Sequence, residues 1–296
     1  MKSKYHIQQT GAIRVGLFLT ILALALAFAV PAQAATVPFT DDFSSGTANA
    51  NDWYFWNSSS AGTAWATASA PSGTSLLGGN TLRNPGGSAS NTAAIKSFTA
   101  VTLRNVNDSI SVSLDIRSQG SNAGKQLQIG IYNLETPFAA NSFGGTDPVS
   151  GKTGYTYGQY FAGGSQAAYA LRSGSSATDS HTTATISGAA STDSVDHHIV
   201  FTLTLTEAGL RLSTVFGGTP MSSYTLSSVT GSVTVDTLRL FTGGITSQVY
   251  FDNIQVTTNV IPEPRQAGLL ASGLAAVAIL ARRLRRRPDS TLHSHS

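Results

Sequence analysis

The sequence predicts an all-β sandwich for the body of the chain, and three observations carry that prediction. Between residues 35 and 260 apolar side chains recur with period two in several separate runs, as they do in half-buried strands. No segment there keeps a 3.6-residue apolar period over ten or more positions, so helices with a buried stripe are not expected. Ser and Thr supply 65 residues of that stretch, whereas Lys and Glu supply 3 and 2. That composition starves exposed helices and favours strands and turns.

Residues 1–34 stand outside this fold. Lys2, Lys4 and Arg14 precede an uncharged apolar run from Val15 to Val30, which exits through Ala32-Gln33-Ala34. A basic start, an apolar centre and a small-residue exit make a secretory signal peptide, with Ala35 as the new N-terminus.

The strands of the body follow in order. An opening strand is expected near Val37–Phe43. Ile110, Val112, Leu114 and Ile116 alternate with polar residues, as do Leu127, Ile129 and Ile131. Ile199, Phe201, Leu203 and Leu205 form the clearest run, and Thr206–Leu210 reads as its hairpin turn into Leu212 and Thr214. Val233, Val235, Leu238 and Leu240 continue the pattern, with a break at Asp236-Thr237 expected to be a bulge. The last strand is Gln248–Thr257, and it is expected to lie beside the first, since Phe39, Phe43, Phe251 and Ile254 all need apolar cover. Gly- and Ser-rich stretches between these runs read as loops, including a long one from about 141 to 165. With no internal repeat of 20–50 residues, one domain over 35–260 is the simplest organisation.

Charge and cysteine content exclude several functions. Residues 35–260 hold nine Lys and Arg against thirteen Asp and Glu, a net charge of −4. The chain's overall +3 therefore comes from its ends, and no nucleic-acid partner is expected. With no cysteine, disulfides, thiolate catalysis and Cys-ligated zinc are absent.

At the C-terminal end, Ile261-Pro262-Glu263-Pro264 leads into an apolar run from Ala267 to Ala281. Arg282, Arg283, Arg285, Arg286 and Arg287 follow it, and residues 288–296 form a short tail. Fifteen helical residues cover about 22 Å, and with snorkelling arginines that becomes a short transmembrane helix. The arginine cluster stays in the cytoplasm, which puts the body outside it. This arrangement over 261–287 closely resembles the PEP-CTERM sorting signal. What the resemblance implies is a Gram-negative exported protein, membrane-tethered and then processed by an exosortase for the cell surface or exopolysaccharide.

A second resemblance concerns the body. Phe39-Thr-Asp41-Asp42-Phe43 and Val249-Tyr-Phe251-Asp252-Asn253-Ile254-Gln-Val256 look like the first and last strands of jelly-roll carbohydrate-binding domains. His197-His198-Ile199-Val200-Phe201-Thr202 and Gly209-Leu210-Arg211-Leu212 resemble the laminin-G part of the concanavalin A-like superfamily, with Asp196 where a tryptophan is usual. A jelly-roll, concanavalin A-like sandwich is what these motifs imply. They also imply a structural calcium ion held by Asp42 and Asp252, with Asp41 in reserve.

Catalytic patterns are missing. Glycoside hydrolysis needs two facing carboxylates, yet Glu135 and Glu207 are 72 positions apart and lack partners at strand spacing. No Gly-x-Ser-x-Gly elbow occurs. His197 and His198 face opposite sides of a strand and cannot share a ligand. Aromatic residues are better supplied. Trp53, Trp56 and Trp65 cluster, as do Tyr155, Tyr157 and Tyr160, and flat rings are the usual stacking partners of sugars. The expectation is a non-enzymatic, polysaccharide-binding surface protein. A divergent glycoside hydrolase or lyase and a structural matrix protein are the alternatives.

Overall fold

The computed structural model describes residues 35–46, 52–60, 65–84, 86–87, 91–120, 122, 125–161, 166–173, 176–185 and 195–260. They belong to one compact unit spanning 34–260. In chain order its strands are β1 (Ala35–Asp41), β2 (Trp53–Asn57), β3 (Ala66–Ser69), β4 (Asn80–Asn84), β5 (Asn91–Leu103), β6 (Ser109–Ser118) and β7 (Lys125–Tyr132). Then come β8 (Ser142–Phe143), β9 (Thr153–Phe161), β10 (Gln166–Ser173), β11 (Ser176–Thr185), β12 (Asp196–Thr206) and β13 (Gly209–Phe216). The chain closes with β14 (Thr219–Pro220), β15 (Tyr224–Leu226), β16 (Val233–Gly243) and β17 (Val249–Asn259), and no helix occurs among the described residues.

Two sheets result. The first runs β14-β13-β12-β6-β17-β4-β3, with β1 also on β17 and β15 also on β13. The second runs β11-β10-β9-β7-β16-β5-β2-β8. Every pairing is antiparallel except β2 with β8. Period-two alternation sends Ile110, Val112, Leu114 and Ile116 of β6, and Ile199, Phe201, Leu203 and Leu205 of β12, into the layer between the sheets. Leu127, Ile129 and Ile131 of β7 and Leu238 and Leu240 of β16 meet them from the other side. The fold is an all-β two-sheet sandwich.

The chain ends of the sandwich pair as their burial requires. In β1 and β17 Phe39 lies opposite Val256 and Asp41 opposite Ile254. A register shift between Thr36 and Phe39 falls where Pro38 has no N–H to give the ladder. On its other edge β17 pairs with β6, and Asn253, at φ 49°, sits in the shift between Asp252 and Gln255. Asparagine tolerates that left-handed backbone better than most residues.

The hairpin between β12 and β13 turns through Glu207-Ala208, with Thr206 opposite Gly209. Gly209 has φ 126°, and a Cβ there would lie 2.3 Å from the Leu226 carbonyl oxygen, so only glycine fits. The break in β16 is a register shift between Val235 and Thr237.

One stretch departs from the sequence expectation. Residues 153–161 are strand β9, and the loop lies before it. The misleading glycines are there to make room. The Tyr132 ring crosses Gly154 and Gly130, and a Cβ on Gly154 would stand 2.1 Å from Tyr132 Cδ1.

Candidate ligand-binding pocket

The segment from Asn133 to Lys152, between β7 and β9, is long for a sandwich connection but is not loose. The shift in β16 frees Asp236, whose carboxylate accepts the Leu134 and Glu135 amides at 2.8 and 2.9 Å. Glu135 there takes φ 63°. Further along, β8 adds to the edge of β2, and Gly144 N–H donates to the Asn57 carbonyl at 2.8 Å. Trp56 Nε1 donates to the Gly145 carbonyl at 3.0 Å. The Asn141 side-chain oxygen accepts the Phe55 amide at 2.8 Å. Asp147, partly buried, pairs with the buried Arg239, and Tyr132, Leu134 and Val149 pack as a small cluster under the segment.

This segment borders an open hollow of about 270 Å³. Leu134, Pro137, Phe138 and Pro148 give it apolar walls, and Thr136, Ser142, Thr146 and Lys152 give it polar ones. Lys152 Nζ donates to Glu135 Oε2 at 3.1 Å, and Phe138 meets the Tyr54 ring edge-to-face at 6.1 Å. An aromatic ring, hydroxyls that both donate and accept, and one flexible ion pair are what a sugar ring can use. Two prolines and the Asp236 and Asp147 anchors hold the walls in place before any ligand arrives.

The aromatic residues that the sequence offered as sugar platforms lie elsewhere. Trp53 is fully buried and donates from Nε1 to Asp41 Oδ2 at 2.7 Å. Trp65 donates to Thr92 Oγ1 at 3.0 Å and stacks on Phe251 at 5.3 Å. Tyr155 and Tyr157 point from β9 into the core, where burial pushes both phenols up in pKa. Trp56 faces the other side of the second sheet but lies beneath the 133–152 segment, with Arg239 6.0 Å from its ring centroid. All five are packing residues: strand alternation points Trp53, Tyr155 and Tyr157 inward, Trp65 is buried just before β3, and the loop covers Trp56. The Tyr160 side chain lies outside the described residues.

What the sequence missed is Phe138. The signal was available in the run from Thr136 to Pro148, where two prolines and paired glycines frame Phe138 and Phe143.

Asp42 and Asp252 come within electrostatic reach of each other, as the β1–β17 pairing dictates. Both carboxylates already accept backbone amides. Asp252 accepts the Gly78 and Asn253 amides, each at 2.8 Å. Burial raises its pKa against these hydrogen bonds, with Asp115 and Asp42 adding to the rise. Asp42 is exposed and lowered in pKa by the Ser44 amide. Among the described residues no three His, Asp or Glu side chains gather so as to hold a metal ion. Asp41 and Asp42 instead border a second hollow with Phe39, Ser44 and Lys96.

Asp252 is part of a different device. The turn-rich segment 70–79 crosses the outer face of the first sheet, tied down at several points. Asp196 accepts the Ser75 and Leu76 amides and the Arg117 guanidinium, which itself donates to the Gly73 carbonyl at 2.8 Å. Asn253 Nδ2 reaches the Leu76 carbonyl and Asp115, whose other oxygen meets His198 at 2.6 Å. His197 turns the other way and stacks on Phe216.

No family model matches the chain, and no curated protein matches it either. Among solved structures it is similar to the T. cruzi calreticulin globular domain, at 14% identity and TM-score 0.49, over 84% of this chain and 98% of that one. It is also similar to a Bacteroides ovatus GH16 protein in complex with a mixed-linkage glucan product, at 12% and 0.45, over 74% and 99%. A third is lectin UEA-II complexed with galactose, at 10% and 0.41, over 77% and 99%. Such distant likeness decides neither ligand nor activity.

Pro262, Glu263, Pro264 and the arginines 282, 283, 285, 286 and 287 lie outside the described residues, as does the signal segment. No helix among the described residues is long and apolar enough to cross a membrane.

Proposed function

We propose that the protein is an exported surface or exopolysaccharide component whose jelly-roll sandwich binds glycan without chemically altering it. The observation that carries the binding role is the pre-formed 133–152 pocket, with its Phe138 ring, hydroxyls and Lys152–Glu135 pair. Support for export is the signal segment at one end and the Pro262-Glu263-Pro264, apolar and arginine series at the other. In this reading an exosortase-type enzyme meets the protein while the C-terminal helix still tethers it.

What supports a non-catalytic reading is the state of one facing pair of carboxylates. Asp115 and Asp252 face each other across neighbouring strands, but they are only 6% and 1% exposed, and hydrogen bonds occupy both. A hydrolase needs its acid and its base open to one glycosidic bond.

The test combines fractionation with binding and turnover. The native bacterium is expected to hold the protein in its envelope or exopolysaccharide, without residues 1–34. Purified protein should retain polysaccharide and release no reducing ends. Intact protein in the cytoplasm would end the export reading, and steady release of reducing ends would replace binding with hydrolysis.

A further inference from the structure

We infer that this pocket, if it is the glycan site proposed above, takes one neutral sugar at the end of a chain rather than a run of sugars or an acidic one. Size is the first argument. About 270 Å³ falls below the ~300–1,000 Å³ usual for pockets that enclose drug-sized ligands, so it suits one or two sugar rings. Its walls all come from the single segment 134–152. A groove for a polysaccharide would instead need stacking positions repeated along a sheet face. Trp56 and Phe241, two of the neighbouring aromatic residues, cannot supply them, since both are buried against Arg239.

Charge is the second argument. The two cations bordering the segment are already committed, Lys152 to Glu135 and Arg239 to Asp147. Asp236 adds a further carboxylate at the base of the loop. An acidic sugar would therefore meet net negative charge and no uncommitted cation in this group, which disfavours it. A neutral sugar has no such conflict. Its hydroxyls can accept from Lys152, and they can donate to and accept from Thr136, Ser142 and Thr146. The apolar face of its ring is left for Phe138.

Titration calorimetry on the full-length protein separates the outcomes. The probes are linear neutral gluco-oligosaccharides of one to six units, cyclic glucans of the same linkage, and oligogalacturonates. Affinity should stop rising after about two units. Cyclic glucans and oligogalacturonates should bind at least tenfold more weakly, and Phe138→Ala should cost about tenfold on the linear series. Affinity that climbs through six units, cyclic chains bound as well as linear ones, or tighter binding of oligogalacturonates would each overturn the chain-end assignment. If Phe138→Ala still weakened that binding, the glycan-binding role would stand. Absence of binding to every probe, by wild type and variant alike, would remove both.

Discussion

Replacing Asp196 by alanine is expected to be among the most damaging single changes in the sandwich, although the residue touches none of its apolar core. The Asp196 and Arg117 side chains are 2% and 8% exposed, so the ion pair between them is largely covered although it lies near the surface. Asp196→Ala strips Arg117 of its counter-ion while leaving the guanidinium in place beneath segment 70–79. It also removes the acceptor used by the Ser75 and Leu76 amides. Breaking a buried pair from one side costs about 3–5 kcal/mol. For a domain of this size that lowers Tm by roughly 6–20 °C. Differential scanning calorimetry reads this directly, and hydrogen exchange should show the Ser75 and Leu76 amides losing protection. The pH dependence has a definite sign. Burial opposes ionisation of Asp196, yet the Leu76 and Ser75 amides and Arg117 outweigh it and hold the carboxyl below its usual 3.8. A lowered carboxylate stabilises the fold above the unfolded value, and that contribution is lost as pH falls through the folded one. The gap between wild type and variant should therefore narrow in strong acid. A Tm loss under about 3 °C at pH 7 would refute the reasoning, for it would mean that Arg117 finds water or another partner at no cost.

Asp252 should behave oppositely. Its pKa is raised, so between the unfolded value and the folded one the native state holds more proton, and stability falls as pH rises through that window. Asp252→Asn should abolish this falling component in pH-dependent urea melts, and an unchanged slope would count against it. Gly154→Ala drives a methyl into the Tyr132 ring and should cost about 1–3 kcal/mol, most of it recovered in the Tyr132→Ala background. A neutral Gly154→Ala would show that β9 can shift away. Calcium against chelator should leave Tm unchanged, because the Asp42–Asp252 pair belongs to no set of three metal-binding side chains among the described residues. A calcium-dependent rise that disappears in Asp252→Ala would restore the ion.

The legible part of the fold was the part with one wet face. Strands β6, β7, β12, β13, β16 and β17 expose one side or pack polar residues there, so apolar and polar positions alternate. The bulge at Asp236 showed as a break in that rhythm. β5 gave no such sign, since Thr92, Ala93, Ala94 and Ile95 are buried on both sides. β9 hid behind glycines whose purpose is a ring on the neighbouring strand, a reason that exists only once β7 and β9 are paired.

The same physics explains why Trp53, Trp56 and Trp65 are buried. Trp53 in β2 and Trp65 just before β3 are both buried, because the inner layer is deep enough for indoles that find hydrogen-bond acceptors in Asp41 and Thr92. Trp56, on the outer face, would have been left in water had the 133–152 segment not folded over it. Covering that apolar patch requires a long connection, and a long connection pinned at both ends borders space of its own. The pocket around Phe138 thus follows from Trp56. An indole on the wrong side of a sheet calls for a cover, and the hollow beside Phe138 lies in that cover.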